Sequence, residues 1–330
     1  MSEPAPAGAP AWNPKPEYSA ERPALLIDCD PGHDDALALL VAARHTEVVG
    51  ITTVAGNAPL HHTTRNALAI AELVGIDAPI HAGADRPLVA PPRHGERIHG
   101  ATGLDGPEPI EPRRAPDGHD AAAFIVDTVR QREGIWLVPT GPLTNIALSL
   151  RRAPDLVDRI AGISLMGGSA GAGNVTATAE FNIWADPEAA AVVLGCGARP
   201  LLMSGLNLTR QFTLDDDFVA SLDPAVARGH RLARFCADLL AFYLDRQAQV
   251  TGRRAGPAHD VCAVLGVSHP ELVRYETRRV EVELRGDQTR GMTVVDERAY
   301  PGDTQAHNVE VGYQIDALAA RHLLTEAIFS

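Results

Sequence analysis

From Ala24 to Ser169 the chain alternates short apolar runs with stretches of helical spacing, and this alternation most constrains its fold. "ALLID", "VVGITTVAG", "PIHAG", "IWLVPTG" and "GISLMGGS" are short, apolar and mostly closed by Gly, as buried strands are. "DDALALLVAARH", "HHTTRNALAIAELVG", "HDAAAFIVDTVRQRE" and "PLTNIALSLRR" space their apolar residues for helices, with Gly75 as a stop and Pro142 in a first turn. Such a pattern predicts an α/β fold: a doubly wound, mostly parallel, Rossmann-like sheet with helices on both faces. The C-terminal third reads as helical elaborations, "ARGHRLARFCADLLAFYLDRQ", "DVCAVLGVS" and "DALAARHLLTEAI", plus a small C-terminal hairpin of "RRVEVELRG" and "GMTVVDERA". No repeat or linker interrupts this body, so residues 23–330 are expected to form a single domain. Residues 1–22 hold five prolines and few apolar residues, and are expected to be a disordered Pro/Ala-rich arm.

A chain of 330 residues with 45% hydrophobic content can bury a large core. Its formal net charge of −13 repels phosphate backbones and anionic lipid, so neither nucleic acid nor a membrane is expected as a partner. A cation or a neutral substrate fits that charge better. The four cysteines stand singly, without metal spacing, as free thiols in a reducing compartment do. No apolar run reaches membrane length and no signal-peptide core is present, so a cytoplasmic location is expected.

In open α/β sheets ligands bind beyond the carboxyl ends of the strands. The first strand runs into "DCDPGHDDA", which packs Asp28, Asp30, Asp34 and Asp35 together. A helix dipole accounts for Asp34 and Asp35 in a first turn, but not for Asp28 and Asp30 on the strand side. Crowded carboxylates raise one another's pKa unless a cation neutralises them, and a hard divalent ion is the natural one. Asn57 follows the second strand, and Thr140 ends the fourth, where a backbone carbonyl is free to act as a ligand. After "ISLMGGS" a loop-like stretch offers Asn174, Glu180 and Asn182 to a polyhydroxylated ligand; Glu180 and Asn182 alternate around Phe181 and so are expected to face one way. His259 and Asp260 open a helix after Pro257, an acid/base pairing near the crevice. His99 lies in a long Pro/Gly loop, residues 86–118, with the character of a lid.

Taken in order, "DCDPGHDDA", "VAGN", "PTGPLTN", "MGG", "GNVTATAEFN" and "HD" resemble the nucleoside hydrolases of the inosine–uridine-preferring type, from Ala24 onward. The resemblance implies Ca²⁺-dependent hydrolysis of the N-glycosidic bond of ribonucleosides, through a metal-activated water and an oxocarbenium-like transition state. It implies Asp30, Asp35, Asp260 and the Thr140 carbonyl as calcium ligands, with Asp30 also taking the water's proton. It places Asp34, Asn57, Asn174, Glu180 and Asn182 on the ribose hydroxyls, Asp28 in support, and His259 and His99 on the base side. It further implies a homodimer or homotetramer. Two positions depart from the family pattern: His33 stands where an apolar residue is usual, and Thr251 where pyrimidine-preferring members carry tyrosine. Gln247, one helical turn earlier, remains to hydrogen-bond a base. Two rivals stand beside this reading. One is a non-catalytic nucleoside- or ribose-binding protein on the same fold. The other is Mg²⁺-dependent phosphotransfer; it needs a nucleophilic DxDx[TV] setting, whereas Pro31-Gly32 follows Asp30.

Overall fold

The computed structural model describes residues 22–298 and 306–329. The expected arm thus lies outside the described residues, apart from Arg22. Twelve strands occur among the described residues: β1 (Ala24–Cys29), β2 (Glu47–Thr53), β3 (Ile80–Ala82), β4 (Ile135–Pro139), β5 (Gly162–Met166), β6 (Leu201–Ser204), β7 (Thr213–Asp215), β8 (Ala255–Pro257), β9 (Val273–Arg278), β10 (Val280–Val282), β11 (Thr293–Val295) and β12 (Val309–Ile315). Eight of them form one sheet in the order β3-β2-β1-β4-β5-β6-β12-β9. All its pairings are parallel except β12 with β9. The expected C-terminal hairpin is the antiparallel pair β10–β11, and β7–β8 is a second small antiparallel pair.

β1 shows why the sheet is doubly wound. All six of its residues are buried. Leu25, Ile27 and Cys29 enter one apolar cluster, with Leu37, Leu40 and Leu240. Ala24 and Leu26 enter the other, with Ile125, Val129 and Ile146. The period of two along a strand therefore buries both faces, which is why the run reads as continuous apolar sequence rather than as alternation. Truncating Leu26 or Ile27 to alanine would cost about 2–5 kcal/mol.

Strand order reverses between β1 and β4, because the chain leaves β1 to build β2 and β3 on one side and returns to build β4 to β6 on the other. At such a switch point the loops part and leave a crevice. Asp28 pairs with Pro139 across it, and Thr140 N–H donates to the Asp28 carbonyl at 2.8 Å. The segments after Cys29 and Pro139 therefore emerge side by side. The helix expected from Pro142 starts later, spanning Thr144–Arg152.

Candidate active site

The helix His33–His45 starts directly beyond β1, and the turn Asp30–Gly32 between them is too short to leave the crevice. Asp30, Asp34 and Asp35 are thus delivered to one place, all buried. Asp30 Oδ2 accepts from Asn57 N–H at 2.6 Å. Its Oδ1 is buried with no hydrogen-bond partner among the described residues. Glycine makes this position possible: a Cβ on Gly56 would collide with Asp30 Oδ2, and one on Gly141 would lie 2.6 Å from Oδ1. Asp35 is held more completely. Its Oδ2 accepts from Gly32 N–H at 2.9 Å and from Asn57 Nδ2 at 3.2 Å, and its Oδ1 from Thr140 Oγ1 at 2.8 Å.

Asp260 arrives from the helix His259–Ser268, whose N-cap is Ala258, leaving Asp260 free in the first turn. Carboxylate oxygens of Asp34, Asp35 and Asp260 lie within 4.8 Å of one another. Among the described residues no Lys or Arg pairs with any of these acids. Burial, followed by the neighbouring carboxylates, therefore pushes Asp30 and Asp260 well above the usual range and Asp34 to about 8. Burial likewise raises Asp35. Four crowded, buried acids, an orphaned carboxylate oxygen and an all-oxygen donor set fit a hard cation, so the cluster is able to hold an ion. Asp34 stands as close to Asp35 and Asp260 as a ligand would. The Thr140 carbonyl accepts from Asn182 Nδ2 at 2.7 Å, which leaves it one lone pair.

Asp28 sits beneath this cluster. Its Oδ1 accepts from Thr52 Oγ1 at 2.6 Å and from Asn145 Nδ2 at 2.7 Å, and burial raises its pKa to about 7. Asn57 Nδ2 also donates to the Asp30 carbonyl at 3.1 Å. Glu180 and Asn182 do reach the crevice, but not by strand alternation. Residues Phe181–Ala185 form a helix that Glu180 caps, accepting from the N–H groups of Asn182 and Ile183. Glu180 Oε2 also accepts from Gly168 N–H at 2.9 Å, and burial raises its pKa to about 7. Asn174 is exposed at the rim, where its Oδ1 accepts from Phe181 N–H at 3.0 Å.

The base-side candidates form a separate wall. His99 belongs to a short helix, Glu96–His99, inside the long loop. Its Nδ1 accepts from His33 N–H at 3.3 Å and lies 3.2 Å from His33 Nδ1. His33 is fully buried, stacks on Phe242 with centroids 5.3 Å apart, and donates from Nε2 to the Asp105 carbonyl at 2.9 Å. The polar departure at position 33 thus ties the loop to the body. Burial lowers the pKa of His99 well below the usual range, and that of His33 to about 4. His259 is also held to about 4, by burial and then by the charge of Arg210. Gln247 is half-buried on the helix Arg231–Thr251, beside the Tyr243 hydroxyl.

Three contacts escaped sequence reasoning. Tyr243 is buried with its hydroxyl donating to the Pro257 carbonyl at 2.9 Å. Asn145 supports Asp28, and its place in "PTGPLTN" was the available signal. Thr209 Oγ1 lies 2.6 Å from His259 Nδ1, a contact across fifty residues that no local pattern announces.

Residues 25–321 match the family model described as inosine-uridine preferring nucleoside hydrolase. A curated relative, the pyrimidine-specific ribonucleoside hydrolase RihB of Escherichia coli O1:K1 / APEC, is 40% identical over 301 residues, covering 90% of this chain and 94% of that protein. The solved structure of a purine-preferring ribonucleoside hydrolase from Gardnerella vaginalis matches with a TM-score of 0.85 at 30% identity, covering 92% of this chain and 98% of its own. That of an inosine-guanosine nucleoside hydrolase matches with a TM-score of 0.84 at 29% identity, covering 93% and 99%. The crevice of carboxylates and amides thus lies on a fold these enzymes share over nearly their whole length, and this chain belongs to the inosine-uridine preferring nucleoside hydrolase family, a ribonucleoside hydrolase by class.

Proposed function

We propose that the chain hydrolyses the N-glycosidic bond of ribonucleosides, releasing ribose and free base, with Ca²⁺ held by Asp30, Asp35, Asp260 and the Thr140 carbonyl. The observation that carries this reading is the buried cluster of Asp34, Asp35 and Asp260 at the switch point, with Asp30 Oδ1 beside it buried and without a hydrogen-bond partner among the described residues. When bound, Ca²⁺ supplies the positive charge that lets these acids ionise together, and an electrophile for oxygen ligands. Asp34, Asn57, Asn174, Glu180 and Asn182 hold the ribose hydroxyls. Fixed carboxylates and amide oxygens around the sugar favour the positive charge that develops as the C–N bond breaks. Asp30 Oδ1 takes the proton of the attacking water, since it is the one oxygen of that carboxylate not already accepting a hydrogen bond. His259 and His99 face the leaving base.

Pyrimidine ribonucleosides are the first expected substrates, by likeness to the 40% identical relative named for them. Thr251 in place of a tyrosine leaves that side of the base site to Gln247. A homodimer or homotetramer and a cytoplasmic setting belong to the same reading. The four cysteines are free thiols, and among the described residues no helix is long and apolar enough to cross a membrane. The test is ribose release from uridine, cytidine, inosine, adenosine and guanosine, with added calcium and after chelation. Calcium-dependent release from uridine or cytidine supports the proposal. Full activity after exhaustive chelation removes the metal from it.

A further inference from the structure

The geometry points to Thr209 as a positioning residue that fixes the tautomer of His259, so that the imidazole turns its Nε2–H toward the leaving base. This rests on the reading of His259 as a base-side residue. Three observations lead to it.

The first is the hydrogen bond itself. Thr209 Oγ1 and His259 Nδ1 are 2.6 Å apart, and Thr209 is fully buried. The distance alone does not say which atom donates. Donor accounting does. Among the described residues Oγ1 makes no other hydrogen bond. Were the proton on Nδ1, the hydroxyl hydrogen would have no acceptor, and a buried donor without one costs about 1–3 kcal/mol. With Oγ1–H donating to a bare Nδ1, both groups are satisfied. The ring proton of the neutral imidazole then resides on Nε2.

The second is what Nε2 meets. Among the described residues it has no hydrogen-bond partner, yet it is not sealed in: His259 keeps partial exposure, while its successor Asp260 is buried in the carboxylate cluster. An N–H donor is thus left over on the open side of the ring. A nitrogen leaving group gains electron density as the glycosidic bond breaks, and it needs a donor rather than an acceptor. The other tautomer would present a lone pair there and repel it.

The third is that the fold holds Thr209 rigidly. β7 and β8 bring the two residues together: Thr213 pairs with Pro257, and Ala258 N–H donates to the Phe212 carbonyl at 3.0 Å, extending the ladder. Phe212 N–H in turn donates to the Thr209 carbonyl at 3.1 Å, and Thr209 N–H to the Gly205 carbonyl at 3.0 Å. Leu206 N–H anchors this turn to the Gly168 carbonyl at 2.9 Å. A valine would fill the same volume without a hydroxyl, so packing alone does not call for threonine.

The test uses the full chain with calcium, as wild type, Thr209→Val, Thr209→Ser and His259→Ala. Two-bond ¹H–¹⁵N correlation spectra of the histidine rings, with the His259 signals identified by their loss in His259→Ala, read the tautomer without any turnover. The wild type and Thr209→Ser should show Nε2–H, and Thr209→Val a mixture carrying Nδ1–H. Kinetics then compare the fastest-hydrolysed of uridine, cytidine and inosine with p-nitrophenyl riboside, whose leaving group needs little help. Thr209→Val should lower kcat on the nucleoside about tenfold or more, and on the aryl riboside less than about twofold; Thr209→Ser should restore the nucleoside rate. Nδ1–H in the wild type, an unchanged tautomer in Thr209→Val, or equal losses on both substrates would overturn the inference. Equal losses in His259→Ala itself would instead overturn the base-side reading, and the spectra distinguish the two failures.

Discussion

Asn57 grips Asp30 from two directions. Its backbone N–H donates to Asp30 Oδ2 at 2.6 Å while its side-chain amide donates to the Asp30 carbonyl at 3.1 Å and to Asp35 Oδ2 at 3.2 Å. One residue therefore sets the spacing of two acids that repel each other. Asn57→Ala keeps the backbone donor and loses the other two. Its kcat/KM should fall by about a hundredfold, the usual cost of removing a preorganised donor. A loss below about threefold, measured on the best nucleoside substrate, would show that the amide does not organise the site.

Gly141 matters through what it lacks. A Cβ there would stand 2.6 Å from Asp30 Oδ1 and 3.0 Å from Val54 Cγ1, so one of them must move. Gly141→Ala should displace the Asp30 carboxylate and abolish the rise in Tm on adding calcium. The calcium-free protein should lose only about 1–3 kcal/mol, typical of local overpacking. Thermal unfolding with and without calcium checks both statements. A normal calcium-induced rise in the variant would place the ion away from Asp30.

The raised carboxyls link stability to pH. Asp28 and Glu180 stand at about 7 and Asp34 at about 8, against roughly 4 in an unfolded chain. Folded pKa values above the unfolded ones mean that the native state binds these protons more tightly. Their contribution is thus fully present below about pH 4 and is lost as pH rises through 7 to 8. A bound cation replaces the protons, so its benefit grows with pH. The chelated protein should therefore lose Tm between pH 5 and pH 8, and calcium should raise Tm more at pH 8 than at pH 5. A calcium effect equal at both would contradict the assignment of charge to this cluster.

His33 fastens the loop of residues 86–118 through His99 and the Asp105 carbonyl. His33→Leu keeps bulk against Phe242 and the backbone N–H to His99 Nδ1, but loses the side-chain contacts to His99 and to the Asp105 carbonyl. Hydrogen exchange at residues 96–106 should quicken about tenfold or more, and KM for nucleosides should rise, because the wall that carries His99 loosens. Unchanged exchange would show that the loop is held by its other contacts alone.

The sequence made the first part of this architecture legible because β1 is buried on both faces and its acids follow at once. The edge half was not. β6 is only four residues long, "LLMS", and β12 mixes Glu310, Tyr313 and Gln314 at less buried positions with its buried residues, so neither stands out as an apolar run. Glu180 and Asn182 do not face one way by strand alternation; a cap and a first helical turn bring them together. Thr209 and His259 were unreadable as a pair because the β7–β8 ladder that joins them consists of three residues on each side. Asp28, Asp30, Asp34 and Asp35 are legible together because their crowding in the sequence has so few other physical reasons to exist, whereas Asp260, far along the chain, joins them only through the family resemblance.

The most direct test of the central claim is calcium-dependent ribose release by the wild type and by Asp30→Ala. The wild type should release ribose from uridine or cytidine with calcium and stop on chelation. Asp30→Ala should be at least about a thousandfold slower and bind calcium more weakly by calorimetry. An Asp30→Ala enzyme that hydrolyses nucleosides at near wild-type rates would remove Asp30 from the reaction and from the metal site.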